Sequence, residues 1–383
     1  MRNSIKIGAF YEEKCKKWVV GCLAALVFMS GVSGCGHNNG QMNDSSQPKS
    51  KTIVDIAGDS VQVPMKVKKI AVTPLPWASV VYALDGGSER LGAIHPGAKS
   101  AYKGHFLEKM DKHFGQINSK NINQDFTVNM EGLASEKIDS VIMWKHQEKD
   151  AKKLRQIGIP AVRIYNDTVE NLKKSFLIVG RLLGKEERAK QVNSYYDKAY
   201  EQIMKSQNEI QKVYKPKVLF LRNKKLGLQG NDNFIGEAIK MGGGNLIVTG
   251  AGQKGVNSGN ITMEEIYKED PDIILLSNFD TFVPNDIYYN QIPGQDWSSL
   301  KAVKNKKVYK VPMGIYLWDA PGVETPLMMK WLAHLLQPYI FQNIDIKEDT
   351  KEFFKEFMNY NLSEEDLKVI FADEANKESV PVN

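Results

Sequence analysis

Cysteine is scarce in this 383-residue chain, and every cysteine lies near the start. The three cysteines stand at positions 15, 22 and 35. Everything after position 35 therefore has no thiol for a disulfide bridge, a thiolate metal site or a cysteine nucleophile. The stability of this part of the chain must come from packing alone.

The chain also lacks a strong charge of either sign. Its formal net charge is +6, and the first 35 residues carry five basic and two acidic residues, which leaves about +3 for the rest. That balance is too mild to indicate a nucleic-acid partner. Because 42% hydrophobic and 25% charged residues are ordinary values for a folded domain, we expect a globular body. We also expect a monomer.

Hydrophobic runs long enough to span a bilayer are absent as well. The apolar run 18–29 is too short, and it follows Lys14, Lys16 and Lys17, as in a secretory signal peptide. Residues 32–35, Val-Ser-Gly-Cys, resemble the lipobox of bacterial lipoproteins. This implies that Cys35 carries a lipid that anchors the protein to the extracytoplasmic face of the cell membrane. Residues 36–52 are rich in Gly, Asn, Gln and Ser and predict a flexible tether.

Two stretches of the body repeat each other at an offset of 133 residues. Residues 129–142 and 262–275 each read as an N-cap, a Met-Glu helix start, a charged turn and a buried strand. Thr262 and Glu265 also have the spacing of a capping box. A second pair, residues 69–87 and 217–244, runs in the same order from strand to helix to glycine. The two pairs indicate duplicated α/β lobes.

Strands and helices alternate along the body, which is typical of α/β folds with parallel sheets. Residues 168–213 are rich in Leu, Lys, Glu, Ala and Gln, and they predict a long helical connector interrupted near Gly184. A last helix is predicted from about Glu324 to Leu335. The predicted strands cover residues 53–55, 62–64, 69–72, 90–94, 140–144, 161–165, 217–221, 273–276 and 307–311.

We therefore expect an α/β fold of two lobes, each with a central, mostly parallel sheet. A long connecting helix joins the lobes, and a ligand cleft lies between them, where the carboxyl ends of parallel strands meet. The expected segments are a lipoprotein signal peptide (1–35), a tether (36–52), an N-terminal lobe (53–167), the interlobe helix (168–213) and a C-terminal lobe (214–383).

The order of these features resembles the substrate-binding proteins of ABC importers, specifically the helical-backbone class that carries iron-siderophore complexes, haem and cobalamin. The lipobox, the two Met-Glu segments and residues 321–333 carry the resemblance, which covers residues 52–339. It implies a carrier rather than an enzyme, working with a membrane permease and its ATPase. In this family a glutamate in each lobe pairs with permease arginines, and the matching positions here are Glu131 and Glu264.

Candidate ligand residues are the polar and aromatic side chains near strand ends, because the cleft should lie there. Aromatic rings with a few basic groups suit a large planar or chelated anion. A ferric siderophore is the first expectation, with haem, cobalamin or a molybdate-type oxyanion as alternatives. The candidates are Trp77, His95, Asp125, Trp144, Lys145, His146, Arg222, Asn223, Asn278, Tyr316 and Trp318.

Enzyme signatures are missing from the sequence. It contains no G-x-S-x-G, P-loop, H-E-x-x-H or Cys-His pattern, and we expect no catalytic residue and no cofactor. A bare divalent metal is a further alternative, since His95, His105 and His113 could in principle converge on one ion. The six histidines nevertheless lack metal-ligand spacing, which favours the carrier of a complexed ligand.

Overall fold

The computed structural model describes residues 49–103, 105–230, 233–248 and 257–382. The predicted signal peptide, Cys35 and residues 36–48 of the predicted tether lie outside these ranges. Within the described ranges, none of the helices combines the length and the apolar character that a bilayer crossing requires.

The described chain opens with an antiparallel hairpin and continues into a first lobe with a parallel sheet. The hairpin pairs β1 (Ser50–Val54) with β2 (Ser60–Pro64), which contain most of the strands predicted at 53–55 and 62–64. Four parallel strands follow in the order β4-β3-β5-β6. They are β3 (Ile70–Val72), β4 (Leu91–Ile94), β5 (Ser140–Trp144) and β6 (Ala161–Ile164).

The central strands of this first sheet, β3 and β5, are mostly apolar and buried, as is usual for a parallel sheet with covered faces. All residues of β3 and β4 are buried. The helices of this lobe are α1 (Trp77–Asp85), α2 (Pro96–Tyr102), α3 (Phe106–Met110), α4 (Met130–Ser135) and α5 (Glu148–Gln156).

The predicted connector consists of two long helices and a short one. Helix α6 (Val169–Leu183) ends at Gly184, whose φ of 67° terminates the helix in the left-handed conformation that glycine favours. Helix α7 (Glu186–Met204) packs against α6, and α8 (Gln207–Ile210) follows. The predicted interruption near Gly184 is therefore present, and it divides the connector into separate helices.

The second lobe repeats the parallel arrangement and adds an antiparallel edge. Strands β7, β11 and β12 and the two-residue β9 are parallel, while β8 and β10 extend the sheet in the antiparallel direction. The sequence did not predict β8, β9 or β10. The strands are β7 (Lys217–Leu221), β8 (Gly227–Gln229), β9 (Asn245–Leu246), β10 (Asn257–Asn260), β11 (Ile273–Leu276) and β12 (Val308–Lys310). Its helices include α9 (Phe234–Met241), α10 (Met263–Glu269), α11 (Pro284–Tyr288), α12 (Lys301–Lys304) and α13 (Thr325–Leu336).

The duplication is visible in strand order and in matching contacts. The parallel strands run β4-β3-β5-β6 in the first lobe and β9-β7-β11-β12 in the second, so each lobe places its second strand outside its first. Asp139 Oδ2 accepts the backbone N–H of Lys69 at 2.9 Å, and Asp272 Oδ2 accepts that of Lys217 at 2.9 Å. Equivalent aspartates therefore hold equivalent strands in the two sheets, which confirms the two-lobe α/β fold.

The last part of the chain, residues 338–382, is here named the C-terminal strap, and it contacts both lobes. Its helices are α14 (Ile346–Met358) and α15 (Glu364–Ile370). On the first lobe, the ring of Phe354 meets that of Phe106 at 5.5 Å between centroids, and Asp366 forms an ion pair with Lys109. On the second lobe, the backbone N–H of Val380 donates to the carbonyl of Lys306 at 2.8 Å. The segment predicted to belong to the second lobe therefore also covers the first.

Candidate functional site

The two lobes meet at a seam between α2 and the loop that follows β12. The rings of Tyr102 and Tyr316 face each other there, with 6.3 Å between centroids. Both side chains are buried, with 2% of Tyr102 and 4% of Tyr316 exposed. The hydroxyl of Tyr102 has no hydrogen-bond partner among the described residues. A polar group of a ligand or a water molecule at the seam would satisfy it.

A basic group stands beside this seam at the carboxyl end of β7. The guanidinium of Arg222 lies 4.6 Å from the ring centroid of Phe279, and its Nη1 donates to Gln229 Oε1 at 2.8 Å. Gln229 in turn donates to Asn233, the N-cap of α9, at 3.1 Å. We name these four residues the arginine site. Partial burial lowers the pKa of Arg222 from its ordinary value, but the group stays charged.

The hydrogen bonds of the arginine site fix the orientation of the guanidinium and leave donors unused. Within the described chain, Gln229 receives the single hydrogen bond that the Arg222 side chain donates. An arginine has five N–H donors in a planar fork that matches carboxylates and oxyanions. The site can therefore bind an anion through its remaining donors.

Buried charges under the arginine site hold the loop that carries Phe279. Lys310 Nζ donates to the carbonyls of Ser277 and Asp280 at 2.7 Å and to that of Phe282 at 3.0 Å. Burial lowers the pKa of Lys310 to about 8. Because three carbonyls surround one ammonium, the loop from residue 277 to 282 is closed around the lysine and keeps Phe279 in place.

Asp319 completes this cluster from the loop after β12. It is buried, its Oδ2 accepts a hydrogen bond from the hydroxyl of Ser277, and burial raises its pKa.

Glu324 organises the loop that carries Tyr316. This buried carboxylate accepts hydrogen bonds from the backbone N–H groups of Ile315 at 3.2 Å and Tyr316 at 3.0 Å, and from Trp318 Nε1 at 3.1 Å. A Cβ at position 314 would lie 1.7 Å from Glu324 Oε1, so only glycine fits there. Burial raises the pKa of Glu324 from 4.5 to about 7.

This raised pKa predicts a pH-dependent stability. Between pH 4.5 and 7 the native Glu324 keeps a proton that the unfolded chain has released. The free energy of unfolding should therefore fall as pH rises through this window, at up to roughly 1.4 kcal/mol per pH unit. Urea unfolding from pH 4 to 8 should show a steeper decline for the wild type than for Glu324→Gln. Equal slopes would contradict the expectation.

On the first lobe, Gln147 joins the ends of neighbouring strands. Its Oε1 accepts from Thr73 Oγ1 at 2.9 Å and from the backbone N–H of Trp144 at 3.0 Å. Its Nε2 donates to the carbonyl of Phe126 at 2.7 Å. Phe126 has a φ of 69°, unusual for a bulky residue, and this hydrogen bond helps to hold it.

His95 is a structural part of this edge. Its Nδ1 accepts the backbone N–H of Gly97 at 2.9 Å, which leaves the proton on Nε2 to donate to the carbonyl of Gln124 at 3.3 Å. The ring packs on Phe126 at 4.7 Å, and burial lowers the pKa of the imidazole. His95 is therefore neutral with both nitrogens engaged, so the structure offers no free imidazole nitrogen to a ligand.

Two of the three predicted ligand tryptophans need correction. Trp77 and Trp318 are each 0% exposed. Trp77 packs on Phe176 of α6 at 5.7 Å, whereas Trp318 donates to Glu324 and contacts the ring of Phe371. Position near a strand end puts the backbone close to the seam, but both indoles turn inward to fill the core. Neither can contact a ligand in this arrangement.

The other predicted residues lie in two groups. Asn223 and Asn278 stabilise loops of the second lobe, because Asn223 Oδ1 accepts from Gly227 N at 3.1 Å and Asn278 Nδ2 donates to the Val311 carbonyl at 2.8 Å. On the first lobe Asp125, Lys145 and His146 are exposed, and Trp144 is partly exposed. Trp144 stacks on His146 with 6.4 Å between ring centroids, and Lys145 Nζ lies 5.5 Å from the ring centroid of Tyr165. Asp125 accepts hydrogen bonds from Thr127, which lower its pKa.

The structure adds residues that the sequence analysis missed. Two of them contact Arg222 in the second lobe, Gln229 and Phe279. The third, Gln147, joins strand ends of the first lobe. Phe279 follows Asn278 at the end of β11, so the strand-end rule could have found it. No sequence pattern pointed to Gln229, which lies on the short strand β8.

The two glutamates of the repeat occupy equivalent positions. Each is the second residue of its helix, after the caps Asn129 and Thr262, and each is exposed. Within the described chain neither Glu131 nor Glu264 takes part in an ion pair. Their neighbour Glu265 instead closes a capping box with Thr262. Both carboxylates are therefore free to meet a partner.

Metal ligation finds no support in the described ranges. There, no group of three His, Cys, Asp or Glu side chains is arranged to hold an ion. His113 contacts the hydroxyl of Ser88 at 2.9 Å, and His95 uses both nitrogens within its own edge of the sheet. The three histidines considered from sequence do not form a site.

Two parallel-sheet lobes that meet at a polar seam define a two-lobe binding protein. Residues 70–313 match the family model described as periplasmic binding protein, and the chain belongs to that family.

Similar proteins extend over most of the chain. A periplasmic solute binding protein from Veillonella parvula is 40% identical with a TM-score of 0.81, covering 86% of this chain and 98% of that one. An ABC transporter solute binding protein from Sulfurospirillum deleyianum is 26% identical with a TM-score of 0.69, covering 84% and 99%. The molybdate-binding protein MolA of Haemophilus influenzae is 22% identical over 90% of this chain and 96% of its own length.

Proposed function

We propose that this protein is the solute-binding lipoprotein of an ABC importer and that it captures a small anion, most simply an oxyanion, at the arginine site. The proposal of an anionic ligand rests on Arg222. Its guanidinium is held in place by Gln229 and Phe279, and it keeps N–H donors that can bind an anion. Arg222 lies at a strand end beside the interlobe seam, and two-lobe folds bind small molecules in such positions.

The dimensions of the seam favour a small ligand. Tyr102 and Tyr316 are in ring contact across it, and Trp77 and Trp318 present no surface to a large planar chelate. The likeness to a molybdate-binding protein over nearly its full length supports the same ligand class. A compact anion needs one oriented arginine and a few hydrogen bonds, which the second lobe supplies.

A ferric siderophore is the second candidate, because one observation favours it. Trp144 and His146 stack on each other, with Lys145 over Tyr165, at the exposed edge of the first lobe. Aromatic faces with basic groups suit a bulky anionic chelate. Such a ligand would need the lobes to part at the Tyr102–Tyr316 contact.

A ligand panel tests both candidates. Thermal unfolding and calorimetric titration of the mature protein would use molybdate, tungstate, sulfate, phosphate, ferric siderophores, haem and cobalamin. A true ligand at a hundredfold excess over its Kd should stabilise the fold by about 2.7 kcal/mol. Stabilisation by oxyanions supports the first candidate, and stabilisation by ferric siderophores alone supports the second. No stabilisation by any of them would contradict both.

The lipid anchor belongs to the same proposal. Cys35 and its lipobox lie outside the described residues, so their support is the sequence alone. Cys35→Ser should release the protein from membranes or leave the precursor uncleaved, as seen by fractionation and mass spectrometry. Unchanged processing and membrane retention would contradict lipidation.

A further inference from the structure

We propose that Asp319 makes the arginine site selective for anions that carry a hydrogen-bond donor, such as a protonated oxyanion. This inference rests on the proposed function, because it assumes that an anion binds at Arg222. It goes further by naming which anions the site accepts and which it rejects.

The first observation is an unsatisfied oxygen. Asp319 is 3% exposed, its Oδ2 accepts from the hydroxyl of Ser277, and its Oδ1 has no partner in the described chain. Most buried side-chain oxygens in folded proteins have a partner. Leaving a buried acceptor unpaired costs about 1–3 kcal/mol. A ligand that carries a hydrogen-bond donor would satisfy Oδ1.

The second observation is the position of this oxygen. Leu221 and Leu276 are paired in the sheet, and the N–H of Ser277 donates to the carbonyl of Leu221 at 2.9 Å. Arg222 and Ser277 consequently leave the sheet side by side. Since Asp319 is bonded to Ser277, it lies next to the strand end that carries Arg222.

The carboxylate and the guanidinium are neighbours without neutralising each other. They interact electrostatically, yet within the described chain the Arg222 side chain donates to Gln229 and not to Asp319. Arg222 is bonded to Gln229 and stacked on Phe279 instead. An anion bound at Arg222 would therefore lie near the strand end at which Asp319 Oδ1 has no partner in the described chain.

This pairing of donor and acceptor separates two kinds of oxyanion. Molybdate, tungstate and sulfate at neutral pH offer acceptors only, so they would leave Oδ1 without a hydrogen bond. Phosphate and arsenate keep an O–H at neutral pH and can donate it to Oδ1 while accepting from Arg222. Sites built to hydrogen-bond a donor reject analogues that lack it, because their own buried group is then left unpaired.

A different role for Asp319 would be purely structural. Its bond to Ser277 could simply hold the loop, and an ordered water could satisfy Oδ1. In that case the ligand would be indifferent to the presence of a donor. The two roles differ in ligand preference and not in stability.

The test compares phosphate with molybdate as probes, by calorimetric titration of the mature protein at pH 7. The wild type should bind phosphate at least tenfold more tightly than molybdate. Asp319→Asn keeps an acceptor for Ser277 and places an N–H where Oδ1 was, so the preference should shrink or reverse. The control Ser277→Ala removes the structural bond and should keep the wild-type preference, with melting temperatures recorded for all three proteins.

Each outcome has one meaning. If the wild type binds molybdate as tightly as phosphate, the inference is overturned while the small-anion function stands. An unchanged preference in Asp319→Asn also overturns it. If the wild type binds neither probe, the small-anion function fails and the inference fails with it. Should Asp319→Asn not fold, the wild-type ratio alone still decides.

Discussion

Replacing Arg222 by alanine should weaken anion binding by about 30- to 1,000-fold. Truncating one partner of a buried, hydrogen-bonded charge pair costs about 2–4 kcal/mol, and each 1.4 kcal/mol is roughly a factor of ten in Kd. Arg222 is the basic side chain that Gln229 and Phe279 hold in place at the end of β7. Calorimetric titration with the best oxyanion of the ligand panel measures the effect.

Two control variants separate charge from geometry. Arg222→Lys keeps the charge but loses the planar fork, so it should bind with intermediate affinity. Arg181→Ala removes an exposed arginine from α6 and should leave affinity unchanged. If Arg222→Ala binds like the wild type at an unchanged melting temperature, the ligand lies elsewhere on the seam.

Replacing Glu131 and Glu264 together by alanine should abolish most uptake while sparing ligand affinity. The two exposed carboxylates stand at equivalent helix starts in the two lobes, which suits a pseudo-symmetric membrane partner with basic side chains. Exposed substitutions usually change stability by less than about 0.5 kcal/mol, so the fold should remain. Ligand uptake and permease-stimulated ATP hydrolysis are the measurements.

The matched control removes two exposed glutamates from elsewhere on the body. Glu187 and Glu374 form surface ion pairs with Lys190 and Lys377. Their double alanine variant has the same change in net charge and should transport normally. High salt should reduce wild-type uptake toward the level of the Glu131/Glu264 variant, because it screens exposed charges. Normal transport by that variant would show that the two glutamates only begin their helices.

The two-lobe fold could be predicted because repetition and strand composition are local properties of the chain. The predicted strands 140–144, 217–221 and 273–276 match the structure at both ends. Their apolar, β-branched runs are long enough to be recognised alone. Strands β8 and β9 have three and two residues, too few for a pattern, and they form because β7 offers hydrogen bonds.

The direction of side chains at the site could not be predicted. Trp77, Trp318 and Arg222 all lie near strand ends, yet the two indoles point into the core and the guanidinium stays partly exposed. What turns Trp318 inward is the buried Glu324, which also binds two backbone N–H groups of the loop. Such a contact depends on tertiary packing, and the spacing of residues in the sequence does not reveal it.

The C-terminal strap also sets the order in which the molecule can be completed. Lys109 and Asp366, which form an ion pair, are 257 residues apart in sequence. The ring of Phe106 is likewise covered by Phe354 of the strap. As the chain emerges from its amino end, the first sheet can assemble early, but α1 and α3 keep apolar surface uncovered until residues 346–370 arrive. The first lobe is therefore synthesised first but completed last. A chain that stops before the strap would expose that apolar surface to proteases and chaperones.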